Sequence, residues 1–127
     1  MAEGAQILVV EDNEKNMKLF RDVLHASGYR TLEAATGERA VELVFEHRPD
    51  LVLMDIQLPD IDGIEALSRL RADDRTASVP VLALTAQAME GDRERFLAAG
   101  FDGYLSKPVN IADLLDAVRR QCEGGSR

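Results

Sequence analysis

Three runs of four consecutive aliphatic residues constrain this chain more than any other feature: Ile7-Leu8-Val9-Val10, Leu51-Val52-Leu53-Met54 and Val81-Leu82-Ala83-Leu84. A strand with one wet face alternates apolar and polar residues. A run with no polar position is a strand buried on both faces, the pattern of a parallel sheet covered by helices. Each run stops at a polar residue: Glu11-Asp12, Asp55 and Thr85. Between the runs the apolar period changes to three or four. Met17, Phe20, Val23 and Leu24 mark a helix over 14–27, ended by Gly28. Thr36 caps a second helix with Ala40, Val41, Val44 and Phe45 inside, stopped at Pro49-Asp50. After a turn-rich loop at 58–63, Ile64, Leu67 and Leu70 give a third. Residues 87–99 read as a fourth, weakly patterned helix, with Gly91 inside it costing about 1 kcal/mol relative to Ala. Asn110 caps a fifth with the stripe Ile111, Leu114, Leu115 and Val118. Residues 29–34 and Gly103-Tyr104-Leu105-Ser106 are the two shorter strands.

Strand and helix thus alternate five times without a long linker or repeat. This predicts one α/β domain over 1–127, with a core at about 6–121 and a flexible tail at 122–127. At 127 residues, 46% of them hydrophobic, a core forms without staples. A net charge of -8 leaves no basic surface for nucleic acid and disfavours anionic membranes. Cys122 is the single cysteine, and His25 and His47 are the only histidines, so neither a disulfide nor a zinc cluster is expected. The start lacks a signal-peptide pattern and no apolar run reaches spanning length, so no membrane insertion and a cytoplasmic location are expected.

Ligands of open α/β sheets bind beyond the carboxyl ends of the strands. Glu11, Asp12, Asp55, Thr85 and Lys107 all stand there, while the second strand contributes no comparable group, as suits an edge strand. Three carboxylates on one rim repel one another unless they bind a proton or a cation. A cluster of oxygen donors alone suits Mg²⁺. Singly, each residue has a plainer reading. Asp12 and Thr85 could cap helices, Glu11 could be a solvated rim residue, Asp55 could form an Asx turn, and Tyr104 could be a core aromatic. Five such groups converging on one rim are less easily explained that way.

The runs Ile7-Leu8-Val9-Val10-Glu11-Asp12-Asn13, Leu53-Met54-Asp55-Ile56-Gln57-Leu58-Pro59 with Asp62-Gly63, Ala83-Leu84-Thr85-Ala86, and Lys107-Pro108 resemble the receiver domain of bacterial two-component response regulators. The likeness is strongest to single-domain members acting in cell division. It implies a doubly wound, CheY-like or flavodoxin-like fold with strand order 2-1-3-4-5 and five flanking helices. It also implies that Asp55 is the phosphoacceptor, taking its phosphoryl group from a phosphohistidine of a histidine kinase or histidine phosphotransferase. Glu11, Asp12, Asp55 and the backbone carbonyl of Gln57 would hold Mg²⁺. Thr85, the Ala86 amide and Lys107 would bind the phosphoryl group, with Thr85 and Tyr104 as switch residues. Output would be a change in protein binding on the face made by the fourth helix, fifth strand and fifth helix.

The chain leaves no room for a DNA-binding domain, so an interaction-switching protein is expected; a receiver excised from a hybrid kinase or larger regulator is the alternative. An aspartyl-phosphate phosphatase would need an acid where Gln57 stands. A flavin binder would need a Ser/Thr/Gly-rich loop where Glu11-Asp12-Asn13-Glu14 stands. The protein is therefore not expected to be an enzyme beyond slow self-dephosphorylation, a rate that the neutral amides Gln57 and Gln87 would influence.

Overall fold

The computed structural model describes residues 4–86 and 91–124. The aliphatic runs form the inner strands of a five-stranded parallel sheet. Its strands are β1 (Gln6–Val10), β2 (Arg30–Ala34), β3 (Leu51–Asp55), β4 (Val81–Thr85) and β5 (Gly103–Ser106), in the order β2-β1-β3-β4-β5. The helices are α1 (Glu14–Ala26), α2 (Gly37–His47), α3 (Gly63–Arg71), α4 (Asp92–Ala99) and α5 (Ile111–Arg119).

Alternation along the strands divides the core in two. Ile7, Val9, Leu51, Leu53, Leu82 and Leu84 meet Met17, Phe20 and Leu24 of α1 and Leu114 and Val118 of α5. Leu8, Val10, Val52, Met54, Val81 and Ala83 meet Ala40, Leu43 and Val44 of α2, Ala66, Leu67 and Leu70 of α3, and Phe96 of α4. Every side chain of the three aliphatic runs is buried, as a sheet covered on both faces requires. Leu43, absent from the expected stripe of α2, is fully inside, while Val41 and Phe45 are only partly buried.

Four helices begin at a side-chain cap. Asn13 accepts from the Asn16 amide, Thr36 from Arg39, Asp62 from Glu65, and Asn110 from Ala112 and Asp113. Asn13 therefore fills the capping role that the plainer reading offered to Asp12. The helix α2 ends at Arg48, whose left-handed φ of 44° closes it before Pro49 is reached. Among the described residues the fourth helix begins at Asp92. Gly91 stands at its N-cap with φ 91°, outside the helix and in a conformation that suits glycine, so the propensity cost of an interior glycine does not arise. Residues 87–90 of the expected helix lie outside the described residues, and α4 has Gly91 at its N-cap with no side-chain cap hydrogen bond, so Thr85 does not cap it. Of the tail expected at 122–127, residues 125–127 lie outside the described residues; a π-helical turn runs over Arg120–Gly124, and Cys122 packs against the α1/α5 core.

Arg71 ties the rim opposite the strand ends. Its guanidinium donates to the carbonyls of Ala77, Val79 and Gly100 and to the carboxylate of Asp102, joining the end of α3 to the turn after α4. At the other rim, α3 starts hard against β3. A Cβ on Gly63 would sit 2.6 Å from the Asp55 carbonyl oxygen and 3.0 Å from Ile56 Cα. Gly63→Ala is expected to lower stability by roughly 1–3 kcal/mol, because backbone must move to admit one methyl group. Urea unfolding measures this, and an unchanged midpoint would contradict the contact.

Candidate functional site at the carboxyl ends of the strands

The strand order brings the ends of β1, β3 and β5 to one rim. Asp55 closes β3 with its side chain 6% exposed, and Glu11 follows β1 with its side chain 1% exposed. Lys107 reaches between them, its Nζ 2.6 Å from Asp55 Oδ2 and 3.0 Å from Glu11 Oε1. Its backbone is held too: the Lys107 amide donates to the Thr85 carbonyl at 2.7 Å. The stem of Lys107 is thus anchored, and its head is committed to two carboxylates.

Asp12 stands exposed beside this pair, and oxygens of Glu11, Asp12 and Asp55 all lie within 4.8 Å of one another. Three carboxylates and one ammonium leave the cluster with excess negative charge. Burial pushes the Glu11 carboxyl above the ordinary carboxylate range; the Asp55 charge adds to that push while Lys107 opposes it. Burial alone would depress the Lys107 ammonium, but its bonds to Asp55 and Glu11 outweigh this and hold it above the ordinary lysine value. An all-oxygen, negatively charged pocket of this kind fits a small hard cation.

The reading of Glu11 as a solvated rim residue is overturned: β1 carries it inside, and its second oxygen takes the Asn13 amide at 3.2 Å. Asp55 does form an Asx-type turn, accepting the Gln57 amide at 3.0 Å, so the plain reading and the site reading hold together. The Gln57 side chain is exposed. Thr85 is buried at the end of β4, and Ala86 lines an apolar pocket of about 380 Å³ with Asn16, Leu19, Phe20, Lys107, Pro108 and Val109. Tyr104 is half-buried and packs against the edge of the core. Its ring lies 5.8 Å from that of Phe96, facing a groove of about 630 Å³ between α4, β5 and α5. Gln87 lies outside the described residues. Asp60 was passed over in the sequence as part of a polar loop, yet its carboxylate receives the amides of Gly37 and Glu38 at 2.8 and 2.9 Å. A carboxylate one turn of loop beyond the site is a weak signal, because its partner is 23 residues away.

Comparison with known proteins agrees with this geometry. Residues 7–119 match the response regulator receiver domain. The chain is 48% identical over 113 residues to the polar-differentiation response regulator DivK of Brucella anthropi, covering 89% of this chain and 92% of that one. It also resembles the receiver domain of a sensor histidine kinase from Pseudomonas aeruginosa, solved with a magnesium ion coordinated in its active-site cleft. The identity is 41% and the TM-score 0.86, over 94% of this chain and 98% of that one. The signal receiver domain of a histidine kinase from Syntrophus aciditrophicus superposes with a TM-score of 0.88 at 30% identity, over 98% and 94% of the two chains.

Removing the ammonium exposes the charge imbalance. Lys107→Ala is expected to cost about 2 kcal/mol at neutral pH, less than a fully buried pair because Lys107 is 20% exposed. The loss should shrink as the solution is made acidic. A carboxyl whose folded pKa lies above its unfolded value binds its proton preferentially in the folded state, so stability rises as pH falls through the Glu11 value. Thermal melts of the variant between neutral and mildly acidic pH test this; a stability gap to wild type that does not narrow would contradict it.

Proposed function

Because this chain belongs to the response regulator receiver domain family, we propose that it accepts a phosphoryl group on Asp55 and thereby switches its binding to other proteins. The observation that carries this reading is a buried carboxylate at the end of the central strand, fixed by Lys107 and flanked by the acids of Glu11 and Asp12. The residues that would hold Mg²⁺ are Glu11, Asp12 and Asp55 with the Gln57 carbonyl. When bound, that ion lowers the repulsion between a carboxylate nucleophile and an anionic phosphoryl group.

The chain's own residues supply the remaining steps. A carboxylate oxygen of Asp55 attacks the phosphorus of a phosphohistidine on a histidine kinase or phosphotransferase. The P–O bond forms as the P–N bond breaks, and the imidazole nitrogen leaves with the electron pair. The product is an acyl phosphate. Lys107, already 2.6 Å from Asp55, moves its charge onto a phosphoryl oxygen, and the Ala86 amide and the Thr85 hydroxyl take the others. Thr85 ends the strand that leads toward α4. That helix is short, buries Phe96 but leaves Leu97 42% exposed, and follows Gly91, whose left-handed φ of 91° sets it apart from the chain before it. It is thus a thinly packed element that can shift, carrying the Phe96–Tyr104 contact and the α4–β5–α5 groove with it. Output through that groove to a downstream protein follows.

The acyl phosphate should decay slowly and without another protein. Gln57 can orient a water molecule but cannot take its proton, so no true enzyme activity is assigned. No helix among the described residues is long and apolar enough to cross a membrane, which supports action in the cytoplasm. The likeness to a sensor-kinase receiver favours a second reading with the same chemistry, in which the phosphoryl group is passed onward in a relay.

Incubation with acetyl phosphate or an autophosphorylated histidine kinase, followed by intact-mass spectrometry, should show one added phosphoryl group in Mg²⁺ and none in excess EDTA. Asp55→Asn should abolish it, and equal labelling of the two proteins would refute the assignment. Beryllofluoride, a phosphoryl mimic, should move amide resonances from Asp55 through Ala86 and Gly91 to Tyr104. Shifts confined to the ligands themselves would remove the switch and leave only phosphoryl relay.

A further inference from the structure

The segment 56–62 between β3 and α3 carries Gln57, yet Gln57, Pro59 and Asp60 are all exposed. An exposed loop holds a shape only where it is tied. Three ties are present. At its start, Asp55 Oδ1 takes the Gln57 amide at 3.0 Å. At its end, the Gly63 amide donates to the Ile56 carbonyl at 2.9 Å. In its middle, the Asp60 carboxylate leaves its own loop and accepts the first two amides of α2, Gly37 at 2.8 Å and Glu38 at 2.9 Å.

The middle tie is supported from both sides. The first amides of a helix have no partner within it and carry partial positive charge, so a carboxylate there is favoured twice. Thr36, the cap of α2, serves only the Arg39 amide, which leaves the two earlier amides for Asp60. Although partial desolvation acts to raise it, backbone amides, chiefly those of Glu38 and Gly37, hold the Asp60 carboxyl below the ordinary carboxylate range, so the bonded form is the charged one. Across the contact, Gly37 is a glycine because the loop presses on it. A Cβ there would meet Ile61 Cγ1 at 2.5 Å and the Ile61 carbonyl oxygen at 2.9 Å. Ile56, Leu58 and Ile61 anchor the loop's apolar side against the core.

We infer that Asp60 is a positioning residue for cation and phosphoryl binding: by bolting the loop to the start of α2, it holds the Gln57 backbone in place before any ligand arrives. The inference rests on the proposed role of the Gln57 carbonyl as a metal ligand. Without the bolt, binding must order the loop as well as fill the site, and affinity falls.

The test uses the full chain and the variants Asp60→Ala and Thr36→Ala. The second removes a cap from the same helix without touching the loop. In metal-free protein, hydrogen exchange at Gln57, Ile61 and Asp62 should quicken in Asp60→Ala and stay near wild type in Thr36→Ala. A Mg²⁺ titration followed by NMR should show a Kd raised about tenfold in Asp60→Ala, the lower end for groups that support metal ligands. Thr36→Ala should stay within about twofold of wild type, even though losing a cap costs about 1 kcal/mol of stability. Should Asp60→Ala fail to fold, Gly37→Ala disturbs the same contact from the helix side with Asp60 intact, and the same changes are expected. Equal Mg²⁺ affinity in Asp60→Ala and Thr36→Ala would overturn the positioning role and leave Asp60 a cap like any other. Wild-type protein that binds no Mg²⁺ would overturn the metal reading itself, and the inference with it.

Discussion

One ammonium group between two buried carboxylates organises this molecule. Lys107 meets Asp55 at 2.6 Å and Glu11 at 3.0 Å, joining the ends of β5, β3 and β1. Buried carboxylates are costly without a cation, and one lysine cannot neutralise two of them together with a third in Asp12. The imbalance is visible in Glu11, whose carboxyl is pushed up by burial and by its neighbour Asp55. A pocket in that condition favours whatever brings positive charge. The same contact ties the ends of three strands into one charged rim.

The fold makes this possible by separating rigid parts from movable ones. β1, β3 and β4 are buried on both faces, so the carboxylates and Thr85 stand on the least deformable elements. Motion is left to the periphery. Among the described residues α4 is the shortest of the five α-helices, Phe96 is its one large buried side chain, and Arg71 ties the residue that ends it, Gly100. The groove lined by Tyr104 lies beside it. A chemical change on the rigid rim can thus be expressed where packing is thin.

Between these two regimes lies the β3–α3 loop, exposed yet braced. Gly37 and Gly63 mark where neighbouring backbone comes too close for any Cβ, and Asp60 supplies the polar tie between them. Glycine, aspartate and proline in a loop usually signal turns. Here the same residues also describe how closely the loop is held to α2 and α3.

The sequence alone determined the parallel sheet, because unbroken aliphatic runs have only one economical use, burial on both faces. It also determined which residues stand at the strand ends, since each run stops at a polar group and ligands of such sheets bind there. Caps at Thr36 and Asn110 were legible because capping is local. What tertiary structure alone decided is everything that depends on partners far apart in the chain. That Glu11 is buried, and bonded there to Lys107 from 96 residues on, depends on the packed layers. Asp60 looked like an ordinary loop residue until the amides of α2 met it from 23 and 22 residues away. Gly91 looked like a flaw inside a helix until its φ of 91° placed it at the start of one. Periodicity and capping report on a few neighbouring residues; charge compensation and close backbone approach are set by how the layers come together, and only the folded chain contains that information.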